Sequence, residues 1–187
     1  QVRPLPYGVR TEILDGVELT LRDAGHILGS AIVELRAEGR SLVFSGDLGP
    51  AGTPILRDPE LVEHADLLLM ESTYGDRNHR ERDATVHELG DILARAWRDG
   101  GNVLIPAFAV GRTQELLYWF ARHWDDWGMQ RWRIYLDSPM ASKVVRVYDQ
   151  HHALFDAEAR AVWRGTPNPF RLPNLRVTES SDESMAI

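Results

Sequence analysis

His26, Asp47 and Glu71 are the residues of this chain whose types and spacing could hold a metal ion or do acid/base chemistry. His26 lies in a glycine-bracketed turn, Asp23-Ala24-Gly25-His26-Ile27-Leu28-Gly29-Ser30. Asp47 lies in a second such turn, Ser45-Gly46-Asp47-Leu48-Gly49, and Glu71 closes the apolar run Leu67 to Met70. An imidazole can ligate a divalent cation, and a carboxylate can bridge a pair of them. Each residue also has a plainer reading. The histidine can hydrogen-bond its own turn, the aspartate can cap backbone amides, and the glutamate can be satisfied by a turn at Ser72 or Thr73. Two further positions could meet a substrate. Arg112 follows Gly111 where a strand-like run gives way to a helical one, so it could clamp a phosphate at a helix N-terminus. A simple helix cap at Thr113 explains that pattern equally well. Asp137-Ser138-Pro139-Met140 repeats the arrangement at the next strand end, which makes Ser138 a second substrate-binding candidate.

The elements that must position these residues can be read from periodicity. Val17 to Leu21 and Ala31 to Leu35 alternate apolar and polar residues, as half-buried strands do. They place His26 at a sheet end. Ser41 to Ser45 is a third strand and delivers Asp47 to the same edge, because antiparallel neighbours share their ends. Ala65 to Met70 is a fourth, and Gly49 to Glu63 reads as a loop over the sheet edge. From Asp83 the period becomes helical, with Val86, Leu89, Ile92, Leu93, Ala96 and Trp97 on one face until Gly100-Gly101 stops it. A strand at Asn102 to Phe108, a helix from Thr113 to Trp124, a strand at Arg133 to Asp137 and a helix from Pro139 to His151 then alternate. That alternation predicts a mostly parallel sheet flanked by helices. A short strand is expected at Leu175 to Thr178, with a helix starting near Ser180. Trp119, Trp124 and Trp127 read as core, and His151-His152 as surface.

The bulk numbers limit the function classes. The chain has 187 residues and a net charge of -7, which argues against a basic coat for sequence-independent nucleic-acid binding but not against a local basic groove. Lys143 is its only lysine among 21 basic residues. It has no cysteine, so any metal must be held by His, Asp or Glu. No apolar run reaches membrane-spanning length, and a soluble cytoplasmic protein without a membrane partner is the expectation. Gln1 to Tyr7 begins abruptly without a methionine, and the last residues could open a helix that is cut off. Both ends therefore read as truncated.

The strings GHILGSA, SGDLG, ESTYGDR, IPAFAVGRTQELL, YLDSPMA and NPFRLPNL, in this order over roughly residues 20 to 187, closely resemble the β-CASP branch of the metallo-β-lactamase superfamily. These are zinc-dependent nucleases that include bacterial relatives of the cleavage-and-polyadenylation endonuclease subunit. The resemblance implies an α/β chain: part of a metallo-β-lactamase αββα sandwich over residues 1–77, then part of a β-CASP domain over 78–187. It implies that His26 ligates zinc, that Asp47 bridges two zinc ions, and that Glu71 is the acidic residue of the first β-CASP motif, supporting a histidine near the leaving group. RNA would pass through a cleft between the domains. Single-stranded RNA is the favoured substrate, DNA stays open, endo- and exonucleolytic action are both allowed, and a homodimer is compatible.

The departures from the family pattern are specific. The first zinc motif, His-x-His-x-Asp-His, occurs nowhere in the chain, and the histidines of the last two β-CASP motifs are missing as well. The expectation is an incomplete core of a longer nuclease, with little activity alone. A non-catalytic RNA-binding or scaffold member is the alternative, although such a protein has no chemical need for His26, Asp47 and Glu71 together. A small-molecule hydrolase of the lactamase fold fits less well, because it needs no second domain over the metal edge.

Overall fold

A computed structural model describes residues 3–187, so Gln1 and Val2 of the abrupt opening segment lie outside the described residues. The chain divides into two compact units, one up to Gly75 and one from Asp76.

The first unit is built on one five-stranded sheet, β1 (Thr11–Leu14), β2 (Val17–Asp23), β3 (Ala31–Ala37), β4 (Arg40–Phe44) and β5 (Leu67–Leu69), ordered as in the sequence. Its first three pairings are antiparallel and only β4–β5 is parallel. Tight turns explain the antiparallel part. Glu38-Gly39 joins β3 to β4 with φ of 50° and 74°, the pair of left-handed residues that matches the twist of a two-residue hairpin. The parallel step needs a crossover, and the segment between Phe44 and Leu67 supplies it as the expected loop. Ala24, Ile32 and Val43 form the buried core on one sheet face, with Leu48, Val62 and Ala65 packed against them.

That inner face also holds a carboxylate. Glu34 is 2 % exposed and sits directly across from Thr20 on β2 and Val43 on β4. Arg22 donates to its Oε2 through Nε (3.0 Å) and Nη2 (2.9 Å), and the Arg36 Nε donates to Oε1 (2.7 Å). A buried carboxylate is tolerable only when paired in this way.

The second unit begins with α1 (Arg82–Arg98) and α2 (Arg112–Arg122), followed by β6 (Ile134–Leu136), α3 (Pro139–Gln150), α4 (Ala157–Arg164), β7 (Leu175–Val177) and the one-turn α5 (Ser181–Met185). Local chemistry sets the helix starts. Ser138 caps α3 by accepting from the Ala141 N–H (3.2 Å), with Pro139 at the first helical position. Asp156 caps α4 through the Ala159 N–H (2.6 Å). Tyr148, Phe155 and Phe170 meet at the centre with ring centroids 6.0–6.3 Å apart.

The mostly parallel sheet expected for this unit is smaller than its sequence suggests. Its only sheet among the described residues is the pair β6–β7, which is parallel. Residues 102–108 carry a strand-like sequence but join no ladder, and Leu104 and Phe108 are 92 % and 85 % exposed. Strand propensity without a neighbouring strand leaves backbone groups to water, so the composition of that run was insufficient to make it a strand. The larger sheet of the chain is mostly antiparallel. The helical layers of an αββα sandwich are not represented among the described residues of the first unit. Trp119, Trp124 and Trp127 are half-buried rather than core, and His152 is half-buried against the Trp163 ring, 3.7 Å between centroids. No helix among the described residues is long and apolar enough to cross a membrane.

Candidate metal centre

Three loops of the first unit converge at one edge of its sheet. His26 lies between β2 and β3, Asp47 follows β4, and Glu71 follows β5. Backbone hydrogen bonds tie the loops together. Gly49 N–H donates to the Ala24 carbonyl (2.9 Å), and Ser45 N–H donates to the Leu69 carbonyl (2.9 Å). Ser45 Oγ in turn accepts from the Glu71 N–H (3.0 Å). Glycine is required where the first two loops touch. A Cβ on Gly49 would fall inside van der Waals contact of the Gly25 carbonyl, and Gly25 itself has φ of 62° with the Arg57 carbonyl and Pro59 against its open side.

Within this edge the side chains differ in commitment. His26 and Asp47 are exposed, and the Asp47 carboxylate has no hydrogen bond or ion pair among the described residues. Glu71 is half-buried and fully engaged. Its Oε1 accepts from the Leu48 N–H (2.6 Å) and its Oε2 from the Thr73 hydroxyl (2.5 Å). The Thr73 hydroxyl and then the Leu48 amide hold its carboxyl below the usual glutamate range, with a smaller contribution from the nearby His26. Glu71 therefore stays ionised and clasps the residue next to Asp47. The turn at Thr73 accounts for part of its satisfaction, as the plainer reading had it. The Leu48 amide does not, and it could not be read from sequence because it depends on β4 and β5 lying side by side.

A metal at this edge can be tested against the donor set. His26 and Asp47 offer one imidazole nitrogen and one carboxylate, the hard and borderline donors that zinc accepts. No group of three or more His, Cys, Asp or Glu suited to a metal occurs among the described residues. A closed zinc site takes about four donors. The residues present thus fit as part of a centre and do not complete one.

The substrate-binding candidates lie in the second unit, each at a helix start. Arg112 opens α2, where its Nη1 pairs with Glu115 Oε2 at 2.5 Å while most of the side chain is exposed. The cap there is Gly111 rather than Thr113. Gln114 Oε1 accepts from the Gly111 N–H (2.7 Å), while the Thr113 hydroxyl bonds back to the Phe108 carbonyl (2.8 Å). Ser138 is occupied as the α3 cap. Its neighbour Asp137 accepts from the Ser184 hydroxyl (2.7 Å) and the Thr178 hydroxyl (2.5 Å), and these bonds, Thr178 first, hold its carboxyl below the usual range.

An α/β chain with an exposed imidazole and carboxylate on one sheet edge falls in the broad class of candidate metal-binding proteins. Comparison with known proteins narrows this. The Beta-Casp domain model matches residues 113–187. Ribonuclease TTHA0252 of Thermus thermophilus is 45 % identical over 186 residues, covering all of this chain and 42 % of the relative. Transcription termination factor FttA of Methanocaldococcus jannaschii is 35 % identical over 187 residues, 96 % of this chain and 29 % of the relative. Endoribonuclease YSH1 of Eremothecium gossypii is 29 % identical over 177 residues, 91 % of this chain and 23 % of the relative. The chain belongs to the β-CASP branch of the metallo-β-lactamase superfamily, and it spans less than half the length of these relatives.

Proposed function

We propose that the protein to which this segment belongs hydrolyses phosphodiester bonds in RNA with zinc as its metal. The observation that carries the reading is the convergence of His26, Asp47 and Glu71 on one sheet edge, in a chain 45 % identical to a protein named a ribonuclease. His26 would hold one ion and Asp47 would bridge two, through an imidazole and a carboxylate that are exposed in this structure. Zinc held there would supply Lewis-acid activation of water at neutral pH and charge stabilisation at the phosphodiester. Glu71 keeps the Asp47 turn in place through the Leu48 amide. Arg112 would neutralise phosphate charge once released from Glu115, and Ser138 would offer a hydroxyl at the start of α3. Endonucleolytic cutting is favoured by relatives named endoribonucleases. Residues 1–77 would form part of the lactamase sandwich and 78–187 part of the β-CASP domain, and single-stranded RNA would be the substrate. The protein would work in the cytoplasm, and a homodimer is compatible.

The test is zinc content by plasma mass spectrometry together with cleavage of an end-labelled single-stranded RNA, on a protein of the relatives' length carrying this segment. About two zinc ions per chain and cleavage, both lost in His26→Ala and Asp47→Ala, are expected. Cleavage that survives both substitutions or a chelator would overturn the reading. Cutting of DNA in preference to RNA would overturn the substrate assignment alone.

A further inference from the structure

We propose that Ser30 is the positioning residue of His26, setting the backbone from which the imidazole projects at the sheet edge. The inference rests on the metal reading given above and adds a residue to it. Ser30 uses every polar atom it has to close the seven-residue loop. Its Oγ accepts from the N–H of His26 (3.2 Å) and of Ile27 (3.3 Å). Its own N–H donates to the Ile27 carbonyl (2.9 Å), and its carbonyl accepts from the Ala24 N–H (3.2 Å).

A second clamp lies behind it. The Tyr7 hydroxyl donates to the same Ser30 carbonyl (2.8 Å), and the Gly8 N–H fastens that segment to Leu21 on β2 (2.8 Å). Burial, followed by the charges of Asp23 and Glu60, pushes the Tyr7 phenol up to about 12, so it remains a donor throughout the working pH range. Gly25 and Gly29, with φ of 62° and 90°, give the chain the left-handed steps that let a residue four positions on reach back to the His26 amide. A serine that only ended the loop would need its backbone bonds alone. The hydroxyl adds a bond to the backbone amide of the candidate ligand itself, which fixes the point from which the imidazole projects.

The experiment follows the His26 ring resonances of the labelled 187-residue chain during titration with zinc, in the wild type, Ser30→Ala, Ser30→Thr and His26→Ala. A saturable response in the wild type, about tenfold weaker in Ser30→Ala and restored in Ser30→Thr, is expected. Equal affinity in Ser30→Ala and the wild type overturns the proposal. So does equal weakening in Ser30→Ala and Ser30→Thr, which would mean general damage to the loop. If the wild-type ring ignores zinc, the metal reading of this edge fails, and amide hydrogen exchange decides the role of Ser30. Faster exchange at His26 and Ile27 in Ser30→Ala but not in Ser30→Thr then supports the positioning role, and unchanged exchange overturns it.

Discussion

Carboxylates of one chemical type do different work in this chain, and their partners tell them apart. Asp47 is exposed and uncommitted among the described residues, which suits a metal ligand, whereas Glu71 is spent on the Leu48 amide and the Thr73 hydroxyl. This difference makes a prediction. Glutamine at position 71 keeps an oxygen for the Leu48 N–H, and alanine keeps none. In a protein of the relatives' length, Glu71→Ala is expected to lower RNA cleavage by about 10- to 100-fold, as loss of an outer-shell partner does, with Glu71→Gln retaining most of it. Equal loss in both variants would mean that the charge itself takes part in the chemistry. Glu34 plays a structural role. Burial pushes its carboxyl up, but the bonds from Arg36 and Arg22 outweigh that and hold it below the ordinary value of 4.5. A depressed folded value means that the stabilisation is complete above the unfolded value and fades as pH falls through the folded one. Glu34→Gln is expected to cost about 3 kcal/mol at pH 7, because it leaves two guanidinium groups facing a buried neutral side chain. The cost should shrink towards pH 3. All six tryptophans lie at or beyond Trp97, so the unfolding must be followed by far-UV circular dichroism rather than by tryptophan fluorescence.

At the scale of elements, the candidate edge is assembled by turns rather than by strands. The strands only bring three loop starts to one side; the Gly25–Gly49 approach decides how near His26 and Asp47 come. Gly49→Ala must push the loops apart, since the obstructing atom is a backbone carbonyl that cannot rotate away. The expected result is a loss of about 2 kcal/mol in denaturant unfolding together with weaker zinc binding than Ser30→Ala shows. Unchanged stability would mean the loops separate freely. The same distinction explains what could be read from sequence. Alternation exposed β2, β3 and β4, and helical period exposed α1, α2 and α3, because each of those patterns is local. The edge shared by His26 and Asp47 followed from hairpin geometry alone. The two runs 67–69 and 102–108 were equally strand-like, yet only the first found a neighbour in β4. The strand β1, the helix α4 and the clasp of Glu71 on Leu48 were not anticipated. The first two are short, and the clasp depends on a contact across 23 positions of sequence.

For the whole molecule the decisive quantity is the number of donors. His26 and Asp47 offer two donors at most, whereas a tight centre needs about four, and a two-metal centre needs more. Net charge works in the same direction: at -7 the chain has no general attraction for a polyanion, so any binding of RNA would have to draw on bound cations and a few arginines. Both arguments predict that the 187-residue chain alone binds zinc weakly and leaves single-stranded RNA uncut. A protein with the length of the Thermus thermophilus relative, of which this segment covers 42 %, should bind zinc tightly and cut. The comparison is made with one labelled RNA, equal protein concentrations and added zinc. Specific cutting by the 187-residue chain, abolished by His26→Ala, would show that these residues already assemble a working centre. The missing donors would then have to come from a second copy of the chain, which a mixture of His26→Ala and Asp47→Ala chains regaining activity would reveal.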